Sequence, residues 1–224
     1  MGRSPIFTPQ KLRGRNAHRG FVLISGNYFM VANHLRSLSN LGHDNLPDHY
    51  FVFPAVTMFV AAFEAFLQEQ LELLRVSEIA SKGLDKEFLI EQFDALKAQK
   101  PPFNEFKEWV KEIYKRSDGC GVGIDPNSDE YQNLLALKEL RNSVIHYNPS
   151  FIENIYWPSR LEQALHCTKL QVLNAGWVTN FSRVEVADWA HDTVKSAVQL
   201  FCSKSGTDDP FTIFLESDGM PPWE

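Results

Sequence analysis

Arg141 and His146 stand close together near the end of a helical periodicity that Asn148 and Pro149 terminate. On a helix of about 3.6 residues per turn, Leu137, Leu140, Val144 and Ile145 define an apolar arc, and Arg141 falls inside it. A guanidinium keeps its charge under all ordinary conditions. On a core-facing stripe it therefore needs a carboxylate, a phosphate or a wet cleft. Asn142 and His146 share a helix face, where an amide can orient an imidazole. His146 also belongs to the last turn, whose exposed carbonyls favour the imidazolium form. A permanent anion clamp beside a switchable proton carrier can break a phosphodiester without a metal ion. The same residues also admit a purely architectural reading, with Arg141 paired to Glu64 across a helical bundle and His146 capping its helix.

These side chains must be positioned by helices. Steps of three and four among Leu23, Ile24, Tyr28, Val31, Leu35 and Leu38 predict an amphipathic helix over Phe21–Leu41. Gly42, Asn45 and Pro47 break it. A second helix is expected from Asp48, its cap, to Arg75, with Val56, Phe59, Val60, Phe63, Phe66, Leu67 and Leu71 on a wide apolar face that also carries Glu64. The short connection makes the two an antiparallel pair. Shorter helices are expected near Asp85–Lys97 and Asn104–Lys115, followed by a loop over Asp118–Ser128. The helix bearing Arg141 and His146 runs from Asp129 to Tyr147. Val172, Gly176, Trp177 and Val178 suggest a short β-hairpin. Ser182 and Glu185 have capping-box spacing and open a last helix to about Ser203. The expected architecture is all-α: a basic N-terminal arm over residues 1–20, a helical domain over 21–205 with an insertion at 77–128, and a surface tail over 206–224.

The segment Leu137-Lys-Glu-Leu-Arg141-Asn142-Ser-Val-Ile-His146 resembles the signature of the HEPN superfamily (higher eukaryotes and prokaryotes nucleotide-binding domain) in its Arg-Asn-x-x-x-His form. The upstream helix Val56-Thr-Met-Phe-Val-Ala-Ala-Phe-Glu64-Ala-Phe-Leu67, an acidic residue amid apolar ones, is similar to that family as well. The resemblance covers about Phe21–Tyr147 as helical layout and roughly thirty residues as motif. It implies a helical bundle that forms a homodimer, bringing two Arg/His pairs into one cleft, and a metal-independent endoribonuclease of toxin–antitoxin or phage-defence systems. Carried over by position, His146 is the general acid or base at the ribose 2′-hydroxyl or the leaving oxygen. Arg141 clamps the scissile phosphate, Asn142 orients the pair, and Glu64 and Tyr147 support them. The products implied are a 2′,3′-cyclic phosphate and a 5′-hydroxyl. The implied partners are RNA, a second copy of the chain and an antitoxin or defence protein, with no cofactor. Two departures stand out. Tyr147 follows the histidine directly, where the branch controlled by a nucleotidyltransferase antitoxin has its tyrosine one place later, and the 77–128 insertion exceeds a minimal member. The other reading is a non-catalytic helical module that binds a partner protein or a nucleotide.

Composition restricts the remaining choices. The 224 residues are 44% hydrophobic and 22% charged, enough to bury a core without metal or disulfide staples. The net charge of −6 argues against bulk electrostatic coating of nucleic acid, so contact with RNA has to be local. Cys120, Cys167 and Cys202 form neither a CxxC pair nor a zinc spacing and read as reduced thiols of a cytoplasmic protein. The apolar run Phe51–Phe63 is too short for a membrane span, and no secretory segment is visible. Arg3, Lys11, Arg13, Arg15 and Arg19 read as a solvated tail or a phosphate-touching arm. His43, Asp44, Asp48 and His49 lie across a helix start without a partner segment for a metal. Asp125-Pro-Asn127-Ser-Asp129 begins like a calcium loop but has Glu130 in its glycine place. Gly119-Cys120-Gly121-Val-Gly123 lacks the setting of a phosphate loop. Trp109, Trp177 and Trp189 read as core residues rather than base-stacking platforms.

Overall fold

The computed structural model describes residues 24–40, 49–76, 107, 110–111, 124–146, 159–205 and 209–211, without the side chains of 49, 71–76, 160 and 205. Most of them belong to α1 (Ile24–Asn40), α2 (His49–Val76), α3 (Asp129–Ile145), α4 (Glu162–Thr168), α5 (Trp177–Phe181) and α6 (Val184–Ser205), with a 3₁₀ turn at Ser159–Leu161 before α4. No strand occurs among the described residues, and the class is all-α. The N-terminal arm, most of the 77–128 insertion, Asp48, Tyr147, Trp109, Cys120 and the His43–Asp44 pair lie outside the described residues. Of the predicted helix Asn104–Lys115, Lys107, Val110 and Lys111 are helical, and Val110 is fully buried.

The centre of the fold is α2. Val52, Ala55, Val56, Phe59, Ala62, Phe63, Phe66 and Leu67 are all buried, covering more than one side of the helix. That breadth is what a helix packed between others requires. It packs against α1 and α6, and α3 closes the bundle against α2 and α6. Tyr50–Gln70 is long and apolar enough to cross a membrane by length and composition, longer than the run read from the sequence because the helix continues past Glu64. Half of that stretch is buried within the bundle.

The first helix turns inward a face that matches only in part the one its aliphatic spacing predicts, with Tyr28 and Leu35 packed against the core. Ser25, Gly26, Phe29, Ala32 and Ser39 are buried, whereas Ile24 and Val31 are 42% and 47% exposed. Small side chains let the backbones of α1 and α2 approach closely, and polar ones find partners there. The Glu69 carboxylate on α2 is buried and accepts from Ile24 N–H (2.6 Å), Ser25 N–H (2.8 Å) and the Ser25 hydroxyl (2.5 Å). A negative charge thus satisfies the free amides at the positive end of α1, a cap supplied from another helix. Arg36 ties the far part of α1 to Asp188 of α6 at 2.5 Å.

Two further expectations are corrected. The predicted hairpin around Val172–Val178 is an irregular loop leading into α5. The fully buried Asn180 amide occupies the backbone groups that a ladder would use: its Oδ1 accepts from Leu173 N–H (2.7 Å), and its Nδ2 donates to the carbonyls of Ala175 (3.0 Å) and Gly176 (3.1 Å). The capping box at Ser182 and Glu185 does not form, because Ser182 ends α5 and its hydroxyl donates back to the Thr179 carbonyl. Glu185 pairs instead with Arg183 at 2.9 Å. The C-terminal region is also not wholly a surface tail. Phe211 is 2% exposed and stacks on Phe29, with ring centroids 4.1 Å apart and planes 8° apart.

Candidate functional site

The helix carrying the motif begins where its sequence says it can. Asp125 forms an Asx turn by accepting from Asn127 N–H (2.8 Å), and the Ser128 hydroxyl accepts from Tyr131 N–H. Asp129 and Glu130 occupy the first turn, where their charges favour the helix dipole. The carboxylates that superficially suggested a calcium loop therefore start a helix. At the other end, His146 is the C-cap, its backbone N–H donating to the Asn142 carbonyl at 2.9 Å.

Between these ends α3 buries Leu134, Leu137 and Leu140. It also buries Ser143, whose hydroxyl is satisfied by the Glu139 carbonyl at 2.9 Å. This shifts the inward face: Val144 is half-buried and packs against the core, whereas Ile145 is 50% exposed and falls outside the apolar arc.

Arg141 sits at the seam of α3 and α2, where one guanidinium nitrogen donates to Glu64 Oε1 at 2.6 Å. Its side chain is 16% exposed and that of Glu64 33% exposed, so the pair opens to solvent along one edge. Burial pulls the guanidinium below its ordinary pKa, though it remains a permanent cation at physiological pH.

A third residue joins them. The Lys138 ammonium contacts the same Glu64 Oε1 from one turn back on α3. Lys138 is itself buried, at the edge of an apolar contact made by Val60, Phe63, Leu134, Leu137 and Val194 that admits no water. Burial first, and then the positive charge of Arg141, push its pKa from 10.5 down to about 7, against an opposing pull from Glu139. Lys138 has no assigned role in the sequence reading. Its signal was the spacing to Arg141: residues three apart on a helix share a face, so both cations had to meet whatever anion α2 presents.

Of the candidate residues, Arg141 and Glu64 are therefore in direct contact. Asn142 is half-buried and His146 is exposed at the end of the same helix. Among the described residues the Asn142 amide makes no hydrogen bond to the His146 ring; the bond joining the two residues is the backbone one. No group of three or more His, Cys, Asp or Glu side chains suited to a metal ion occurs among the described residues. Trp177 packs against Phe53, and the Trp189 indole donates to Asn133 at 2.8 Å, so both sit in the packing of the bundle. Comparison with protein-family models, with curated proteins and with solved structures finds no match.

Proposed function

We propose that the chain is a metal-independent endoribonuclease of HEPN type that acts in the cytoplasm, in a toxin–antitoxin or phage-defence setting. The observation that carries this reading is the arrangement on α3: a cation steadied by Glu64 at a solvent-open seam, and an exposed imidazole at the end of the same helix. His146 takes the proton of the ribose 2′-hydroxyl, or returns one to the 5′-oxygen as it leaves. The 2′-oxygen attacks the adjacent phosphorus, the P–O5′ bond breaks, and a 2′,3′-cyclic phosphate and a 5′-hydroxyl result. Arg141 meets the negative charge that accumulates on the non-bridging oxygens in between. A second copy of the chain would place two such pairs in one cleft, and an antitoxin or other defence protein would control access to it.

The test is cleavage of a defined RNA by the purified chain in EDTA, with the new ends identified chemically. Arg141→Ala and His146→Ala should each abolish cutting and leave the fold intact. Cleavage that persists in both variants overturns the assignment. A non-catalytic helical module that binds a partner protein or a nucleotide is the second reading, favoured by one observation: the anion that holds Arg141 belongs to its own chain. In that case the wild type does not cut RNA, and Arg141→Ala chiefly lowers the stability of the protein by breaking the contact with Glu64.

A further inference from the structure

We propose that the exposed side of α1 is the surface on which a second copy of this chain docks, the two α1 helices running antiparallel about a two-fold axis at Val31. The inference goes beyond the nuclease reading and does not depend on it. Its foundation is an apolar stripe that the bundle leaves half used. Ile24, Tyr28, Val31, Leu35 and Leu38 follow one another in alternating steps of four and three, the repeat by which one helix packs along another. Tyr28 and Leu35 lean on the core and Leu38 is half-buried, whereas Ile24 and Val31 are 42% and 47% exposed. The stripe reads almost the same in both directions. With Val31 on the axis, an antiparallel copy sets Ile24 against Leu38, Asn27 against Leu35 and Tyr28 against His34. No acidic residue enters any of these pairs, and each joins an apolar or aromatic side chain to one it can pack on, as a self-complementary contact requires.

Charge selects the same occupant. Each chain carries a net charge of −6, so two copies repel overall and associate best where acidic residues are missing. The 17 residues of α1 include no Asp, Glu or Lys, and Arg36 is tied to Asp188 of α6 at 2.5 Å. The exposed Asn27 and Ser37 flank the stripe without charge. A helix face depleted of charged side chains has the composition of an interface core. Its size sets the strength of the contact. From Ile24 to Leu38 the stripe runs about 21 Å at about 1.5 Å per residue. One helix face of that length falls short of the roughly 800 Å² per partner that a stable interface buries, so the dimer is weak and concentration-dependent. Arg141, Glu64 and His146 belong to other helices, and a substitution in the stripe leaves all three in place.

The experiment measures the mass of the full chain by light scattering from about 1 μM to about 300 μM, for wild type and Val31→Glu, with the melting curve of each recorded. Wild-type mass should climb with concentration. Val31→Glu should hold half the wild-type mass at the top of the range, its association weakened at least about tenfold because two carboxylates would meet on the axis. Disulfide cross-linking by mild oxidation then fixes the arrangement, with the wild type as background for the native cysteines. Val31→Cys, a change of similar size that keeps the test decisive if Val31→Glu does not fold, should give a linked dimer. Ile24→Cys alone should not, since its two copies lie about 21 Å apart along the antiparallel pair, whereas Ile24→Cys combined with Leu38→Cys should. A wild type that stays monomeric at every concentration overturns the proposal, the face then being bare or serving another partner. So does a folded Val31→Glu chain that keeps the wild-type mass: the copies then meet elsewhere, and a dimer built around the Arg141 seam is untouched. An Ile24→Cys chain that links to itself overturns the antiparallel pairing.

Discussion

Removing the amine of Lys138 should stabilise the protein in acid and do progressively less as the pH rises. In the unfolded chain this lysine binds its proton with the ordinary pKa of 10.5, whereas burial brings it to about 7 in the native state. Between those values the unfolded state carries the extra proton, so native stability rises with pH through the window; below pH 7 both states are protonated and the full cost is present. The separation of the two pKa values corresponds to a cost of about 5 kcal/mol at low pH, diminishing by about 1.4 kcal/mol for each pH unit above 7. Methionine has a similar length, no charge to desolvate, and neighbours in Val60, Phe63 and Val194 that suit it. Glu64 keeps Arg141 as its partner. Urea denaturation of wild type and Lys138→Met at intervals from pH 6 to pH 10 provides the comparison, with other titrations cancelling in the difference. Wild-type stability relative to the variant should be level up to pH 7 and then climb by about 4 kcal/mol by pH 10. A level difference across the whole range would mean that Lys138 keeps its proton inside the fold, and the electrostatic account of the seam would fail.

Two further substitutions probe the scaffold around the site. Glu69→Ala removes the carboxylate that accepts from Ile24 and Ser25, and should cost about 2 kcal/mol by urea denaturation, with the first turn of α1 losing amide-exchange protection. Asn180→Ala removes the side chain that pins Leu173, Ala175 and Gly176, and should cost about 1–3 kcal/mol while leaving the far-UV helical signal almost unchanged, because the freed backbone groups belong to a loop.

The long helices were legible because each carries a strong periodic signal and clear stop residues. The expected Asp48–Arg75, Asp129–Tyr147 and Ser182–Ser203 correspond to α2 over His49–Val76, α3 over Asp129–Ile145 and α6 over Val184–Ser205. What escaped sequence reading was set by partners remote in sequence. The inward face of α1 is only partly legible: Tyr28 and Leu35 pack against the core, but Ser25, Ala32 and Ser39 are not apolar enough to register and are buried by close packing and by Glu69, forty-four residues from Ser25. The hairpin expectation near Val172 failed because a single buried Asn180 outweighed the β-propensity of two exposed valines. Phe211 was assigned to a tail because the Pro- and Asp-rich segment around it masks one aromatic ring that has its partner in Phe29.

The site shows the same division, with a consequence for how such motifs are read. The Glu64–Arg141 contact is the architectural alternative that the sequence admits, since a guanidinium on a core-facing stripe needs a carboxylate, a phosphate or a wet cleft. Lys138 is signalled only by its three-residue spacing to Arg141, which places it on the same helix face but does not show that it is buried. A lysine among apolar residues ordinarily extends its amine to water, and only the arrival of α2 and α6 on both sides denies it that route. Once it is confined there, Glu64 must serve two cations with one charge. The contact that the sequence pattern suggests as a pair is therefore a three-residue seam in which one carboxylate oxygen meets both cations of α3.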